Sequence, residues 1–187
     1  MLDWSDDVLD IREQYPLSDL GEAIMIAEKA RIRYPYDSKS GFPYVMTSDF
    51  LVQTITGDVV LAVKPASELE KPRVREKLEI ERRYWSARNI RWELVTEHEI
   101  NNIKARNIEW LSQAKDLSQF GLSNEDQYLC SAYFMTRYTE NKPPCELICD
   151  IEWVFGLAPG MGLNIYKHLA YWKKIAFDIG TDVLVSA

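Results

Sequence analysis

Alternating apolar and polar positions open the chain and give way to a helical pattern. Residues 8–17 alternate up to Pro16, which predicts a short β-strand. The apolar positions of residues 20–30 then follow a helical repeat, with Ser18 or Asp19 as the predicted N-cap. A loop is predicted next over residues 34–43, two strands over 44–54 and 58–64, a long helix over 69–88 and another strand over 90–96.

The two central strands are predicted to pair as a hairpin. Thr56-Gly57-Asp58 lies between them and is typical of a tight turn. Pro65 ends the second strand, because proline has no backbone N–H to donate. The order strand, helix, hairpin, helix, strand predicts an α/β domain over residues 1–100.

The second half of the chain has a helical texture. Ile100, Ile103, Ile108 and Leu111 form one stripe, and Ser123 precedes a predicted helix over 127–138. Several short helices closed by a hairpin predict a winged-helix-like domain over residues 101–187, with the boundary near 97–105. The remaining elements are helices at 145–155 and 163–172 and a hairpin at 174–186.

Composition narrows the class of protein. Apolar residues make up 47% of the chain and charged residues 27%, which excludes a disordered chain. No segment approaches the roughly 20 apolar residues that span a bilayer, and the acidic start lacks a secretory signal, so we expect a cytoplasmic protein. Three cysteines and two histidines are too few and too scattered for a disulfide framework or a zinc ribbon.

Charge is unevenly distributed along the chain. The net charge is −7, yet residues 29–91 hold thirteen basic and eight acidic side chains. A basic segment inside an acidic chain is compatible with local phosphate contact, and equally with a solvated helix. Lys71, Arg73 and Arg75 at the start of the long helix are the candidate DNA contacts. The alternative is a solvated helix face with intrahelical ion pairs, in which the glutamates include Glu81.

Two charged residues of the predicted hairpin are candidates for catalysis. Asp49 lies among apolar residues of the first strand, and Lys64 closes the second. In an antiparallel hairpin their spacing brings them together at one end of the sheet. An acid and a lysine placed in this way are typical of metal-dependent phosphodiesterases. In these enzymes the acid holds Mg²⁺, and the lysine orients or activates the attacking water and stabilises charge on the phosphate. A salt bridge at the strand edge is the alternative that spacing alone leaves open.

Several segments resemble one protein family in the same order. They are VLDIREQYPL (8–17), SDFLV (48–52), VKP (63–65), EKLEIERRYW (76–85), TEHEI (96–100), NIEWL (107–111) and, more loosely, GLNIYK (162–167). This series resembles the TnsA endonuclease subunit of heteromeric cut-and-paste transposases. The resemblance is best over residues 2–111.

The resemblance implies a fold, an activity and partners. The fold would be a restriction-endonuclease-like domain followed by a winged-helix-type domain. The activity would be Mg²⁺-dependent hydrolysis of the 5′ strand of double-stranded DNA at transposon ends, alongside a TnsB-like transposase and a TnsC-like ATPase regulator that engages the C-terminal domain. Asp49 matches the metal-binding aspartate, Lys64 the catalytic lysine, and Val63 the residue whose backbone carbonyl reaches the metal.

The sequence departs from the family pattern at two places. Ala62 stands where better-known members carry glutamine, so no side-chain oxygen is present there. The family also has a catalytic glutamate on a helix just before the block that begins Leu2-Asp3-Trp4. We therefore expect a chain shortened at its N terminus, in which metal binding is weak and cutting slow. These departures favour an alternative role as a catalytically impaired recruitment subunit that binds the TnsC-like regulator and the TnsB-like transposase.

Overall fold

The protein divides into two compact units after Ile100. A computed structural model describes residues 1–139 and 144–181. The first unit is a mixed α/β layer built on a four-stranded sheet. Its elements are β1 (Val8–Pro16), α1 (Leu20–Lys29), β2 (Thr47–Thr54), β3 (Gly57–Val63), α2 (Pro72–Ser86) and β4 (Arg91–Val95), with 3₁₀ turns at Leu2–Trp4 and Ala66–Glu70.

The strands lie side by side in chain order. The pairs β1–β2 and β2–β3 are antiparallel, as the predicted hairpin requires, whereas β3–β4 is parallel. A parallel pair needs a crossover connection, and α2 supplies it. Thr54 pairs with Gly57, so the tight turn is Ile55-Thr56 and lies one residue before the predicted position. Gly57 has φ +128°, a conformation that other residues rarely adopt.

Helix α2 is fixed to the sheet and to the start of α1 by apolar packing and hydrogen bonds. Ile80 is fully buried, and Tyr84 and Trp85 are almost so. The indole Nε1 of Trp85 donates to Oγ of buried Ser48 in β2 at 2.7 Å. The hydroxyl of Tyr84 accepts from the backbone N–H of Asp19, whose side chain caps α1. The residue next to Ser48 is Asp49, so this bond fixes the backbone that carries the candidate carboxylate.

Helix α2 begins later than its apolar pattern predicts. The predicted helix covers 69–88, but residues 66–70 form a 3₁₀ turn and the α-helix begins at Pro72. Proline is favoured in the first turn of a helix, because its missing N–H has no partner there in any case.

The second unit, from Asn101 onward, is helical in its described part. The side chain of Ser123 caps α4, and that helix begins directly after it, three residues before the predicted start. Residues 174–181 contain no strand, and residues 182–186 of the predicted closing hairpin lie outside the described residues. The helices are α3 (Asn102–Ser112), α4 (Asn124–Arg137), α5 (Cys145–Phe155) and α6 (Met161–Tyr171), with a 3₁₀ turn at Leu117–Phe120.

No helix within the described ranges combines the length and the apolarity that a membrane crossing needs.

Candidate active site

Asp49, Val63 and Lys64 meet at one end of the β2–β3 hairpin. Oδ2 of Asp49 accepts two hydrogen bonds of 2.7 Å, from Nζ of Lys64 and from the backbone N–H of Val63. Nζ of Lys64 also donates to the carbonyl oxygen of Val63 at 2.9 Å. The three groups therefore form one closed polar cluster, in which a carboxylate and a carbonyl share the same ammonium.

The register of the hairpin brings these residues together. Phe50 pairs with Leu61, and this antiparallel register continues toward the open end of the hairpin, where Asp49 and Lys64 lie. The side chain of Asp49 is 23% exposed and that of Lys64 is 34% exposed. Partial exposure leaves room for a phosphate, whereas a fully buried ion pair would be closed to a substrate.

The oxygen atoms of this cluster suit a magnesium ion. Asp49 and the carbonyl of Val63 already converge on one cation, the ammonium of Lys64. Within residues 1–139 and 144–181, no three histidine, cysteine or carboxylate side chains are grouped as a larger metal centre would need. Magnesium is commonly held by one or two carboxylates and keeps several waters, so this small oxygen donor set fits it. Ala62 is buried and adds no side-chain oxygen.

Glu81 of α2 is a buried carboxylate at the same site. Its exposure is 5%, and together with Lys64 it lines a cavity of about 360 Å³. Among the described residues, neither Oε1 of Glu81 nor the buried Nε1 of Trp92 has a hydrogen-bond partner. Burial raises the pKa of the Glu81 carboxyl, and the negative charge of Asp49 reinforces this effect. The interpretation of Glu81 as part of a solvated, ion-paired helix face is therefore wrong.

Glu81 should destabilise the folded protein once it is ionised. A raised pKa in the folded state contributes stability below the ordinary value of 4.5, and this contribution is lost as the pH rises through the folded pKa. We therefore expect Glu81→Gln to raise the melting temperature at pH 8 by roughly 2–5 °C, and by less at pH 4. Thermal unfolding in metal-free buffer at several pH values measures the difference.

Glu79→Gln, two residues away on the same helix, is the control, and we expect it to shift the melting temperature in the opposite direction. Arg82 and Arg83 bind this carboxylate and lower the pKa of Glu79 to about 2. Its contribution to stability is present above the ordinary pKa and is lost as the pH falls toward 2, so Glu79→Gln should lower the melting temperature at pH 8. Equal shifts for the two variants would contradict the burial of an unpaired Glu81.

The three predicted DNA-contact residues have different surroundings. Arg73 donates to Glu76 at 2.7 Å and to the backbone carbonyl of Arg33 at 2.6 Å. Lys71 forms an ion pair with Glu68, and Arg75 is exposed. Contact of Lys71, Arg73 and Arg75 with DNA stays a prediction.

Sequence reasoning missed Glu81, although its position contained a signal. On α2 it lies three residues after buried Leu78 and three before buried Tyr84, which is the spacing of one helix face. The surrounding segment is so rich in charge that its sequence predicts an exposed face for a further glutamate. Its burial depends on the packing of α2 against the sheet.

Comparison with known proteins covers both units. The sequence model described as "TnsA-like endonuclease N terminal" matches residues 5–97, and the one described as "TnsA endonuclease C terminal" matches residues 99–179. The chain is similar to the Transposon Tn7 transposition protein TnsA of Escherichia coli, with 43% identity over 117 residues. That match covers 61% of this chain but 42% of the relative, so the aligned region spans less than half of the relative's length.

Proposed function

Because the chain belongs to the TnsA endonuclease family, we propose that it is the DNA endonuclease subunit of a heteromeric transposase. The proposed reaction is Mg²⁺-dependent hydrolysis of the 5′ strand of double-stranded DNA at transposon ends. The observation that carries the proposal is the convergence of the Asp49 carboxylate and the Val63 carbonyl on the ammonium of Lys64. We also propose a restriction-endonuclease-like fold for the first unit.

Each residue of the cluster has a distinct role in this proposal. Asp49 and the carbonyl of Val63 would hold the ion, and bound magnesium would neutralise the charge that develops on the phosphate. Lys64 is held in place by Asp49 and can donate to a phosphate oxygen or orient the attacking water. We assign Glu81 a positioning role, because it lines the same cavity as Lys64 and its charge interacts with that of the Lys64 ammonium.

Recruitment is the second candidate function, and a feature of the second unit favours it. Trp153 on α5 is 84% exposed and Val154 beside it is 42% exposed. Exposed tryptophan is rare on free surfaces and enriched at protein interfaces. The region 92–187 is acidic overall, with thirteen acidic and eight basic side chains, which suits a protein partner better than bare DNA. We propose that the TnsC-like regulator binds this unit and that the fold of the unit is of the winged-helix type.

A strand-resolved cleavage assay tests the proposed function. The chain is incubated with a TnsB-like transposase, a TnsC-like ATPase and a transposon-end duplex that carries a different label on each strand. We expect a nick in the 5′ strand with Mg²⁺, no nick with EDTA, and none with Asp49→Ala. If wild-type chain binds the TnsC-like ATPase but the 5′ strand stays intact with Mg²⁺, the recruitment function replaces the nuclease function.

A further inference from the structure

A second cavity continues the one that contains Lys64 and Glu81. It measures about 570 Å³ and shares Pro35, Tyr44 and Lys77 with the first. Both volumes fall in the range of roughly 300–1,000 Å³ that is typical of small-ligand sites. We call the two together the aromatic groove. Its walls are residues 33–36 and 44–47 on one side and α2, from Arg73 to Glu81, on the other.

Two aromatic rings are held open to solvent in this groove. Tyr36 is 44% exposed and Tyr44 51% exposed. Tyr36 packs edge-on against buried Tyr34, with the ring centroids 6.0 Å apart. The hydroxyl of Tyr44 donates to Asp37 at 2.8 Å. Both rings are therefore fixed before any ligand arrives, which reduces the entropy that binding would cost.

Asp37 orders the loop that carries these rings. Its Oδ1 accepts from the backbone N–H groups of Lys39 and Ser40 and from the hydroxyl of Ser40. A β-bridge joins Tyr36 to Pro43 across the same loop. These bonds order the loop and hold the two rings in place.

The charged side chains that line the groove attract a phosphate backbone, but only modestly. Four cations line it, Lys64, Lys77, Arg73 and Arg33, and among the ion pairs of the described residues none involves Arg33 or Lys77. The carboxylates of Glu68, Glu76 and Glu81 offset part of this charge. Electrostatics alone therefore gives weak binding, and stacking on the tyrosines would supply the rest.

We propose that the aromatic groove binds one or two unpaired nucleotides of the transposon end, next to the phosphate that is cut. Aromatic rings stack on base faces, and in a duplex those faces are covered by neighbouring bases, so only an unstacked nucleotide can use Tyr36 and Tyr44. Lys77, Arg73 and Arg33 then contact the adjoining phosphates. This inference rests on the proposed function and adds to it the local DNA structure that the site accepts.

Fluorescence of 2-aminopurine tests the proposal without any cleavage. The probe is a transposon-end duplex with two unpaired 2-aminopurine nucleotides beside the cut position, and a fully paired duplex serves for comparison. In EDTA, wild-type chain should bind the unpaired duplex more tightly and quench its fluorescence. Tyr36→Ala should weaken binding of the unpaired duplex roughly tenfold and abolish quenching, with little effect on the paired duplex.

Two control variants separate stacking from other effects. Tyr36→Phe keeps the ring and should retain both affinity and quenching. Tyr128→Ala removes a tyrosine in α4 that is 73% exposed, and should change neither. Circular dichroism checks that each variant is folded.

The outcomes distinguish this inference from the proposed function. Equal affinity of wild-type chain for paired and unpaired duplexes, or an equal loss for both in Tyr36→Ala, overturns the groove proposal even if the wild-type chain nicks DNA. Quenching that depends on Tyr36 supports the groove proposal even if no nick is found in the separate cleavage assay.

Discussion

Replacement of Lys64 by alanine is expected to lower the rate of 5′-strand cleavage roughly 10²–10³-fold, the loss typical of removing one charge-stabilising donor. Lys64 is the side-chain cation that contacts both Asp49 and the Val63 carbonyl. Without it, the phosphate approaches the carboxylate of Asp49 with no ammonium between them. Single-turnover cleavage of a labelled transposon-end duplex with Mg²⁺ measures this loss.

Two further variants make the Lys64 prediction specific. Lys64→Arg keeps the charge but replaces a compact ammonium with a planar guanidinium, so we expect an intermediate rate. Lys29→Ala removes an exposed lysine at the end of α1 and should leave the rate unchanged. A Lys64→Ala rate within twofold of wild type would show that the ion pair with Asp49 is a structural feature of the strand edge.

Gly162→Ala is expected to destabilise the second unit by about 3 kcal/mol or more, at the upper end of overpacking effects. A Cβ at this position in α6 would lie 2.2 Å from the carbonyl oxygen of Ile148 in α5, and backbone cannot move aside as a flexible side chain can. The N–H groups of Gly160 and Gly162 also donate to Glu152, which fixes the start of α6 against α5. Calorimetry should show a transition lowered by roughly 10 °C or more.

Gly21→Ala is the matched control for this prediction. Gly21 lies in α1, and the nearest atom to an added Cβ is 3.6 Å away, an ordinary contact. Alanine is favoured over glycine in helices by up to about 1 kcal/mol, so Gly21→Ala should be neutral or stabilising. A Gly162→Ala protein as stable as wild type would contradict the close approach of α5 and α6.

The hairpin and its site could be predicted because they depend on local sequence. Gly57 and the alternating apolar positions set an antiparallel pairing, and the spacing between Asp49 and Lys64 then places both at one end. The sequence predicts either Ser18 or Asp19 as the N-cap of α1, and in the structure the cap is Asp19. Such features follow from turn chemistry and periodicity.

Features that depend on tertiary packing could not be predicted in this way. The burial of Glu81 follows from the placement of α2 against the sheet, and its sequence neighbours suggest solvent. The loop over residues 34–43 has no periodicity, yet side-chain bonds from Asp37 order it and hold the ring of Tyr44. The proposed catalytic role of the cluster rests on the family, since spacing alone also fits a salt bridge.

The most direct test of the central claim is to locate a bound metal ion. Crystals of the chain soaked in Mn²⁺, which substitutes for Mg²⁺ and scatters anomalously, would reveal its position. We predict a peak in contact with the carboxylate of Asp49 and the carbonyl oxygen of Val63, with the ammonium of Lys64 displaced from between them, and no such peak for Asp49→Ala. Manganese bound only elsewhere, with the Asp49–Lys64 ion pair intact, would contradict the account.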